Sequence, residues 1–403
     1  MILLRRSLIY FAFLLIISGG VFAQTDPLSQ PGRYRAGWRN VTVTRANSST
    51  FTARLYYPAT ATGQNTTYDG GGAPYAAITF GHGFFQPVSS YQSTLEHLAS
   101  HGYFVIASDS EGGLFPNHQN FADDIKRCLT YLEQENASAA SVLFGQVATT
   151  KFGASGHSMG GGASILATAQ DSRIKALANL AAAETNPSAA AAMPQITVPV
   201  SLISASSDTI VPVASNGQTM FNAAVTPKLL PVIQGGWHCG FEDANGIGCD
   251  TGSITREQQL GQTRRLLTSF FNLYLKRSEA DWKQVWGPTL EEPLVIAQRN
   301  PGFEISPVTQ EAAAPVGVNT VISLSVTNRG QTPESYTVFV EQRRWIVFTN
   351  PQQTGVLAPN QSATISFRVR RLWKNSVLLN RIYVSLRKDS DALTRSAATI
   401  DLR

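Results

Sequence analysis

Between residues 24 and 300, short apolar stretches of strand length alternate with longer stretches in which apolar residues recur at helical spacing. The stretch 103–110 opens with YFVIA, as expected of a strand that is buried on both faces. The stretch 254–277 carries apolar residues along one face and predicts a long amphipathic helix. Strands separated by crossover helices predict a mostly parallel sheet covered on both faces, with a ligand site beyond the carboxyl ends of the strands.

The pattern changes after residue 290. From residue 287 onward, the segments GPTLEEP and RNPGFEISP carry four prolines between them and have no sustained periodicity, which predicts a linker over 291–305. The rest of the chain, 306–403, alternates apolar and polar residues without any helical stretch, and this pattern is typical of a small antiparallel β-sandwich. Four segments carry the alternation: 320–328, 335–342, 363–370 and 381–387. We therefore expect an α/β domain over 24–290, then the linker, then an all-β module.

A short motif in the last segment of the chain adds to this expectation. Val326, Asn328, Gly330 and Tyr336 follow a V-x-N-x-G spacing with a tyrosine five to six residues later. This motif resembles that of the bacterial immunoglobulin-like modules that are appended to secreted enzymes. The resemblance implies an immunoglobulin-like β-sandwich over 306–403.

The net charge of +5 is concentrated in the all-β module, since residues 301–403 hold 12 Lys and Arg against 7 Asp and Glu. No dense Lys/Arg cluster accompanies it, so we expect no nucleic-acid partner. Arg368 and Arg370 share one strand face. This face has two interpretations: a basic stripe that contacts an anionic cell envelope or polymer, or a solvated surface.

The amino terminus has the features of an export signal. Arg5 and Arg6 precede an apolar stretch, LIYFAFLLII over 8–17, and Val21-Phe22-Ala23 places small residues where signal peptidase cleaves. We expect residues 1–23 to be a signal peptide and the mature protein to be secreted, to the periplasm or the exterior. An uncleaved anchor helix is the alternative.

Export permits disulfides, and the chain has three cysteines. Cys239 and Cys249 bracket a stretch rich in Gly, Asn and Asp that suits loop closure, so we expect them to pair; two free thiols are the alternative. Cys128 lies on the apolar face of a predicted helix and is expected to be a buried thiol. Because no Cys/His cluster has the spacing of metal ligands, we expect no metal site and no cofactor.

The segment Gly156-His157-Ser158-Met159-Gly160 matches the motif G-x-S-x-G. It follows an apolar strand and opens a helix, which is the strand–turn–helix setting of a nucleophile elbow. The tight turn would expose the Ser158 hydroxyl. A structural glycine-rich turn is the alternative interpretation.

An alcohol needs an adjacent base to act as a nucleophile at neutral pH. In nucleophile-elbow hydrolases the chain order is Ser, acid, His, and His238 is the only histidine after Ser158. Asp208 ends a predicted strand and is our choice for the acid that orients the imidazole. Glu184 is the alternative acid, whereas Asp171 should lie at the opposite end of the sheet.

Two backbone amides should stabilise the oxyanion of a tetrahedral intermediate. One is the amide of Met159, directly after the nucleophile; the other should come from the loop that follows the third strand, where we choose Phe84. His82, in the same loop, is interpreted as a residue that stabilises the loop.

These segments resemble a known family. GHSMGGGASILA, SSDTIVPVA and GWHCGFED are similar to the secreted bacterial cutinases and polyester hydrolases of the α/β-hydrolase superfamily, with chlorophyllases and lipases as neighbours. The resemblance covers about residues 35–285. It implies Ser158 as nucleophile, Asp208 as acid, His238 as base, and Phe84 and Met159 as oxyanion donors, with Phe84 also lining the acyl pocket.

The chain departs from that family at two places. Phe84 stands where the polyester hydrolases usually have tyrosine. These enzymes also usually have a tryptophan on the strand after the elbow helix, and the matching stretch here, AAAE over 181–184, lacks it. A ring-stacking wall is therefore missing, which argues against aromatic polyesters. Trp237 is a candidate for replacing part of that surface, with a buried structural tryptophan as the alternative.

Only 50 positions separate Ser158 from Asp208, which leaves no room for a lid domain. We therefore predict a monomeric secreted serine esterase that acts through an acyl-enzyme on short-to-medium acyl or polymeric esters at an open site. Two alternatives stay open: an exported acyltransferase with the same triad, and a non-catalytic envelope-binding protein on a hydrolase scaffold.

Overall fold

The computed structural model describes residues 26–287, 289–291, 294–341, 346–348, 350–370 and 381–402, and the statements below refer to these residues. The predicted signal peptide, 1–23, lies outside them. No helix in the described part of the chain is long and apolar enough to cross a membrane.

The first part of the chain forms an α/β domain, which confirms the predicted fold class. Its strands are β1 Arg35–Thr44, β2 Thr50–Ala59, β3 Gly63–Gln64, β4 Tyr75–Gly81, β5 Tyr103–Ser108, β6 Val147–His157, β7 Ile174–Leu180, β8 Val200–Ala205, β9 Lys228–Ile233 and β10 Val295–Asn300. Its helices are α1 Gln92–Ser100, α2 His118–Ala137, α3 Met159–Gln170, α4 Ala189–Ala192, α5 Gly217–Ala223, α6 Arg256–Leu275 and α7 Trp282–Val285.

These ten strands form one sheet in the order β10-β9-β8-β7-β6-β4-β5-β2-β1-β3. Strands β5, β4, β6, β7, β8 and β9 run parallel, and β2 and β10 flank them antiparallel. Two apolar clusters cover the two faces: one contains residues of α1 and α6, the other residues of α2, α3 and α5. All parallel strands therefore deliver their carboxyl ends to one edge.

The turn from β6 into α3 requires close backbone packing. A Cβ atom on Gly160, in the first turn of α3, would lie 2.2 Å from the carbonyl carbon of Gly81 at the end of β4. The glycines of the motif thus let α3 approach the sheet more closely than any side chain would allow.

The structure corrects the prediction of a linker over 291–305. Val295–Asn300 forms β10, an edge strand that pairs antiparallel with β9, and Phe303–Ser306 already belongs to the next sheet. Prolines at 288, 293 and 301 flank the strand and mask its alternation of buried and exposed positions. The connection between the two folded parts is therefore much shorter than the sequence pattern indicates.

The last hundred residues form an all-β module of two sheets. One sheet has the order β11-β13-β17-β15 and the other β12-β19-β18-β14-β16. Residues from both sheets share one apolar core, which makes the module a sandwich. The strands are β11 Phe303–Ser306, β12 Thr309–Ala312, β13 Asn319–Asn328, β14 Tyr336–Glu341, β15 Ile346–Phe348, β16 Gln352–Gln353, β17 Ser362–Arg370, β18 Arg381–Lys388 and β19 Arg395–Leu402.

The sandwich packs against the α/β domain near the carboxyl end of α6. Leu393 is buried in the core cluster of the α/β domain, and the hydroxyls of Thr394 and Tyr274 lie 3.1 Å apart. The Arg395 guanidinium stacks over the ring of Trp282 and pairs with Glu279. The module is thus fixed to the α/β domain by buried and charged contacts.

The close packing of Gly160 generates a prediction about stability. Gly160→Ala should lower the free energy of unfolding by more than 2 kcal/mol, because backbone of another strand would have to move. Gly261→Ala, in the middle of α6 with open space around the new methyl group, should raise it by roughly 0.5–1 kcal/mol through helix propensity. Urea denaturation of both variants measures the two changes; equal effects of the two substitutions would contradict the packing argument.

Candidate active site

Ser158 lies at the sharp turn between β6 and α3. Its backbone has φ 55° and ψ −121°, a strained conformation for a residue with a side chain. Hydrogen bonds on both sides hold it: the Ser158 amide donates to Leu180 O, and the Ser158 carbonyl accepts from the amides of Gly162 and Ala183. The residue is 8% exposed, so it is almost completely buried. This geometry is that of a nucleophile elbow.

Asp208 and His238 form a buried hydrogen-bonded pair. Asp208 follows β8 and His238 follows β9, and His238 Nδ1 lies 2.8 Å from Asp208 Oδ2. The other carboxylate oxygen of Asp208 accepts the amides of Ile210 at 3.0 Å and Val211 at 2.6 Å. Because the carboxylate only accepts, Nδ1 donates and Nε2 is left free to take a proton.

The imidazole of His238 lies next to the elbow. Its ring centroid is 4.5 Å from that of His157, the residue directly before Ser158. Among the described residues, no hydrogen bond joins Ser158 Oγ to His238 Nε2. In free enzymes such catalytic hydrogen bonds are often long and tighten when substrate binds. The structure therefore brings Ser158, Asp208 and His238 to one place, although Ser158 and His238 are not hydrogen-bonded to each other.

Both predicted oxyanion donors lie at this place as well. Met159 is the first residue of α3, so its amide has no partner within the helix. Gly83, in the loop after β4, is so close to the elbow that a Cβ atom on it would lie 3.6 Å from Ser158 Cβ. The next residue, Phe84, is 49% exposed at the mouth of the site. His82 is buried and its ring nitrogens lie 2.8 Å from the carbonyl oxygens of Gly83 and Ser110, as expected of a residue that stabilises the loop.

A second buried carboxyl lies behind the base. Tyr91 Oη lies 2.8 Å from His157 Nδ1, and Glu242 Oε1 lies 3.8 Å from the same nitrogen. Burial raises the pKa of Glu242 to about 7, and burial together with the charge of His238 holds the pKa of His157 well below its usual range. His157 is therefore a neutral ring that packs against the base.

Trp237, the other candidate for the substrate pocket, is largely buried. Its side chain is only 7% exposed, and the Arg256 guanidinium covers the ring. Gln259 of α6 binds both backbone groups of Trp237, with its carboxamide oxygen 3.0 Å from the amide and its nitrogen 2.8 Å from the carbonyl. Trp237 thus anchors the loop that carries the base, and its buried ring fits the structural alternative that the sequence left open.

Cys239 and Cys249 form the expected disulfide, and Cys128 is a buried free thiol whose pKa is raised by burial. Glu242 has a carboxylate oxygen within 4.8 Å of both disulfide sulfurs. Because these sulfurs are bonded to each other, the group offers no thiolate to a metal ion. The residue after the second cysteine, Asp250, accepts hydrogen bonds from the backbone on both sides of the site.

The two other acids considered for the triad have different partners. Glu184 Oε2 accepts the amide of Ala190 at 3.1 Å, on the far side of the loop after β7. Asp171 pairs with Arg173, which also contacts Glu133. Neither has a hydrogen bond to His238 among the described residues.

The sequence did not single out Tyr91, Glu242, Gln259 or Asp250. Tyr91, Glu242 and Gln259 carry no local motif, because tertiary packing alone brings them to the base. Asp250 had an available signal: it directly follows the cysteine that was expected to pair with the residue after His238.

A parallel sheet with an elbow serine at its carboxyl edge, followed by an acid–histidine pair on the next loops, defines an α/β-hydrolase. A family model described as PET hydrolase-like matches residues 30–249. This chain therefore belongs to the PET hydrolase-like family.

Curated relatives agree with this assignment. The chain is 31% identical to cutinase est1 of Thermobifida alba over 169 residues, which are 42% of this chain and 51% of that protein. It is 28% identical to cutinase 1 of Thermobifida cellulosilytica over 182 residues, 45% of this chain and 62% of that protein. The chain thus spans between a half and two thirds of the length of these relatives.

The raised pKa of Glu242 predicts a pH dependence of stability. A carboxyl whose pKa is about 7 in the folded protein, against an ordinary 4.5, favours folding when protonated, and this contribution is lost between about pH 4.5 and 7. Relative to Glu242→Gln, the wild-type protein should lose about 3 kcal/mol of unfolding free energy over that window. Denaturant unfolding at both pH values measures it.

Glu257→Gln is the matched control, because the Glu257 side chain is 81% exposed. A Glu242→Gln effect that does not change between pH 4.5 and 7 would contradict the buried, protonated carboxyl.

Proposed function

We propose that this protein is a secreted serine carboxylic ester hydrolase that acts through an acyl-enzyme on short-to-medium acyl or polymeric esters. The observation that carries the proposal is the buried hydrogen bond from His238 to Asp208 beside the strained turn at Ser158. A strained turn is costly to a fold and such turns cluster at reaction sites, and a buried carboxylate that holds an imidazole by a hydrogen bond is the arrangement that orients a general base. Secretion rests on the signal-peptide pattern over 1–23.

In the proposed reaction, Ser158 Oγ attacks the ester carbonyl carbon while His238 Nε2 takes the hydroxyl proton. Asp208 stabilises the imidazolium that forms. The amides of Met159 and Phe84 donate to the carbonyl oxygen as it becomes an oxyanion. The imidazolium then returns its proton to the leaving alcohol as the carbon–oxygen bond breaks. In the second half, His238 Nε2 takes a proton from a water molecule whose oxygen attacks the acyl carbon, and the bond to Ser158 Oγ breaks as the imidazolium gives Oγ the proton, which releases the carboxylic acid.

The region between nucleophile and acid supports an open site. Residues 159–208 contain α3, β7, the four-residue helix α4, one short 3₁₀ turn and β8, with no room for a lid domain. Water therefore has free access to an acyl-enzyme, which favours hydrolysis over acyl transfer to a second alcohol.

The loops around the site expose large apolar side chains. Phe84 and Phe85 follow β4, Phe115 follows β5, Ile210 follows Asp208, and Ile247 lies in the disulfide loop. These side chains are between 47% and 108% exposed. The rings of Phe84 and Phe85 are neighbours, with centroids 6.2 Å apart, and exposed apolar side chains grouped in this way are typical of an interaction site. We call these five residues the apolar rim, and it supports an insoluble or bulky ester as substrate.

The triad generates the first test of the proposal. Ser158→Ala should lower kcat for p-nitrophenyl butyrate by at least 10³-fold, and Asp208→Asn by about 10⁴-fold, because the imidazole would take the wrong tautomer. Initial rates measure both effects. Glu184→Gln, which removes the alternative acid, should leave the rate within twofold of wild type. If Glu184→Gln instead lowers the rate strongly and Asp208→Asn does not, Glu184 is the acid.

The apolar rim generates the second test. Phe115→Ser should lower the rate on an emulsified triglyceride or a polyester film several-fold and leave the rate on soluble p-nitrophenyl butyrate unchanged, because the 96% exposed ring touches only a large substrate. Phe144→Ser is the matched control, since this 54% exposed ring precedes β6, at the opposite edge of the sheet. Equal losses for both variants would argue against the rim as the contact surface.

A further inference from the structure

One carboxylate joins the two loops that carry the acid and the base. Asp250 Oδ2 accepts the amide of Thr209 at 3.1 Å and the amide of His238 at 3.0 Å, and Asp250 Oδ1 accepts the amide of Cys239 at 3.2 Å. Thr209 directly follows Asp208. The same side chain therefore binds the backbone at the acid and at the base.

These bonds complement those of the sheet. Before the catalytic residues, the two loops are already joined by backbone hydrogen bonds from Ser206 to Ile233 O and from Ser207 to Gly236 O. After the catalytic residues, the sheet has ended and the segment around Thr209 is exposed. Among the described residues, Asp250 is the side chain that accepts amides from both loops there.

The disulfide determines where Asp250 can lie. Cys249 is bonded to Cys239, so the nine residues between them belong to a closed ring that begins and ends beside the base. Asp250 leaves this ring at its closing point. Residues 244–248 of the ring are exposed and include two glycines, and Arg256 of α6 contacts Asn245 among them. Without the disulfide, Asp250 would be connected on its amino side through this exposed segment.

We propose that Asp250 is a positioning residue for the Asp208–His238 pair, and that the Cys239–Cys249 disulfide contributes to catalysis by holding Asp250 between the two loops. The inference rests on the proposed ester hydrolase function. It makes the rate of an exported enzyme dependent on oxidation of one specific disulfide.

A double-mutant cycle tests the proposal on the full chain with p-nitrophenyl butyrate. Asp250→Ala should lower kcat about 10²-fold with KM within twofold, since a displacement near 1 Å has that effect on a catalytic group. Asp250→Asn keeps one acceptor oxygen and should lie between Ala and wild type. Cys239→Ala with Cys249→Ala should match Asp250→Ala, and adding Asp250→Ala to it should cause no further loss. Asp69→Ala, another loop carboxylate that accepts a backbone amide, is the matched control.

The inference is overturned if Asp250→Ala keeps the kcat of the wild type. It is also overturned if the kcat of the triple variant falls by the product of the decreases caused by Asp250→Ala and by the cysteine pair. A thermal unfolding measurement that attributes the lower kcat to unfolded protein would overturn it as well. Should the cysteine variants fail to fold, phosphine reduction of the folded protein replaces them: reduction must slow the wild type and leave Asp250→Ala unchanged.

Labelling of Ser158 by a fluorophosphonate separates this inference from the proposed function. If the wild-type protein is labelled but hydrolyses no ester, only the proposed function is contradicted. The double-mutant cycle is then measured with labelling rates in place of kcat. A wild type that is neither labelled nor active overturns both.

Discussion

The hydrogen bond between Asp208 and His238 is the contact on which the chemistry of this site depends. Its partners are 30 positions apart in the chain and sit on loops that follow two neighbouring parallel strands, β8 and β9. The bond fixes the tautomer that leaves Nε2 free for the nucleophile. The two side chains are adjacent and buried because their loops follow neighbouring strands and because Gln259 of α6 holds the loop of the base.

Much of this arrangement could be predicted from the sequence, because it follows from local rules. The elbow at Ser158 has a motif, the order of acid and base along the chain left a single histidine, and alternating elements implied a parallel sheet. The edge strand β10 was missed because its flanking prolines resemble a linker. Its pairing with β9 is a tertiary contact that no local pattern reports.

The environment of the base could not be predicted, for a related reason. Glu242 and Tyr91 are ordinary residues in sequence, and they become a buried pair behind His157 only when α1 and the loop after β9 pack together. The pKa of a carboxyl depends on such burial and not on its neighbours in the chain. Trp237 is an example in the other direction. Its position next to His238 in the chain suggested a pocket wall, whereas packing buries its ring.

The all-β module is attached at the end of α6 that is remote from the site. Gln259, which holds the loop of the base, and Tyr274, which contacts the module, are 15 positions apart on α6, or about 22 Å along its axis. Arg368 and Arg370 are exposed on one face of β17, as the alternation predicted. A role for this face in contacting an envelope or a polymer stays a prediction.

The most direct measurement of the central claim is rapid-quench mass spectrometry during turnover of p-nitrophenyl butyrate. The account predicts a butyryl adduct that maps to the peptide containing Ser158, that forms in step with the release of the first equivalent of p-nitrophenol, and that disappears as butyrate is released. Ester turnover by the intact protein with no acyl group on Ser158, or with the acyl group on another residue, would contradict it.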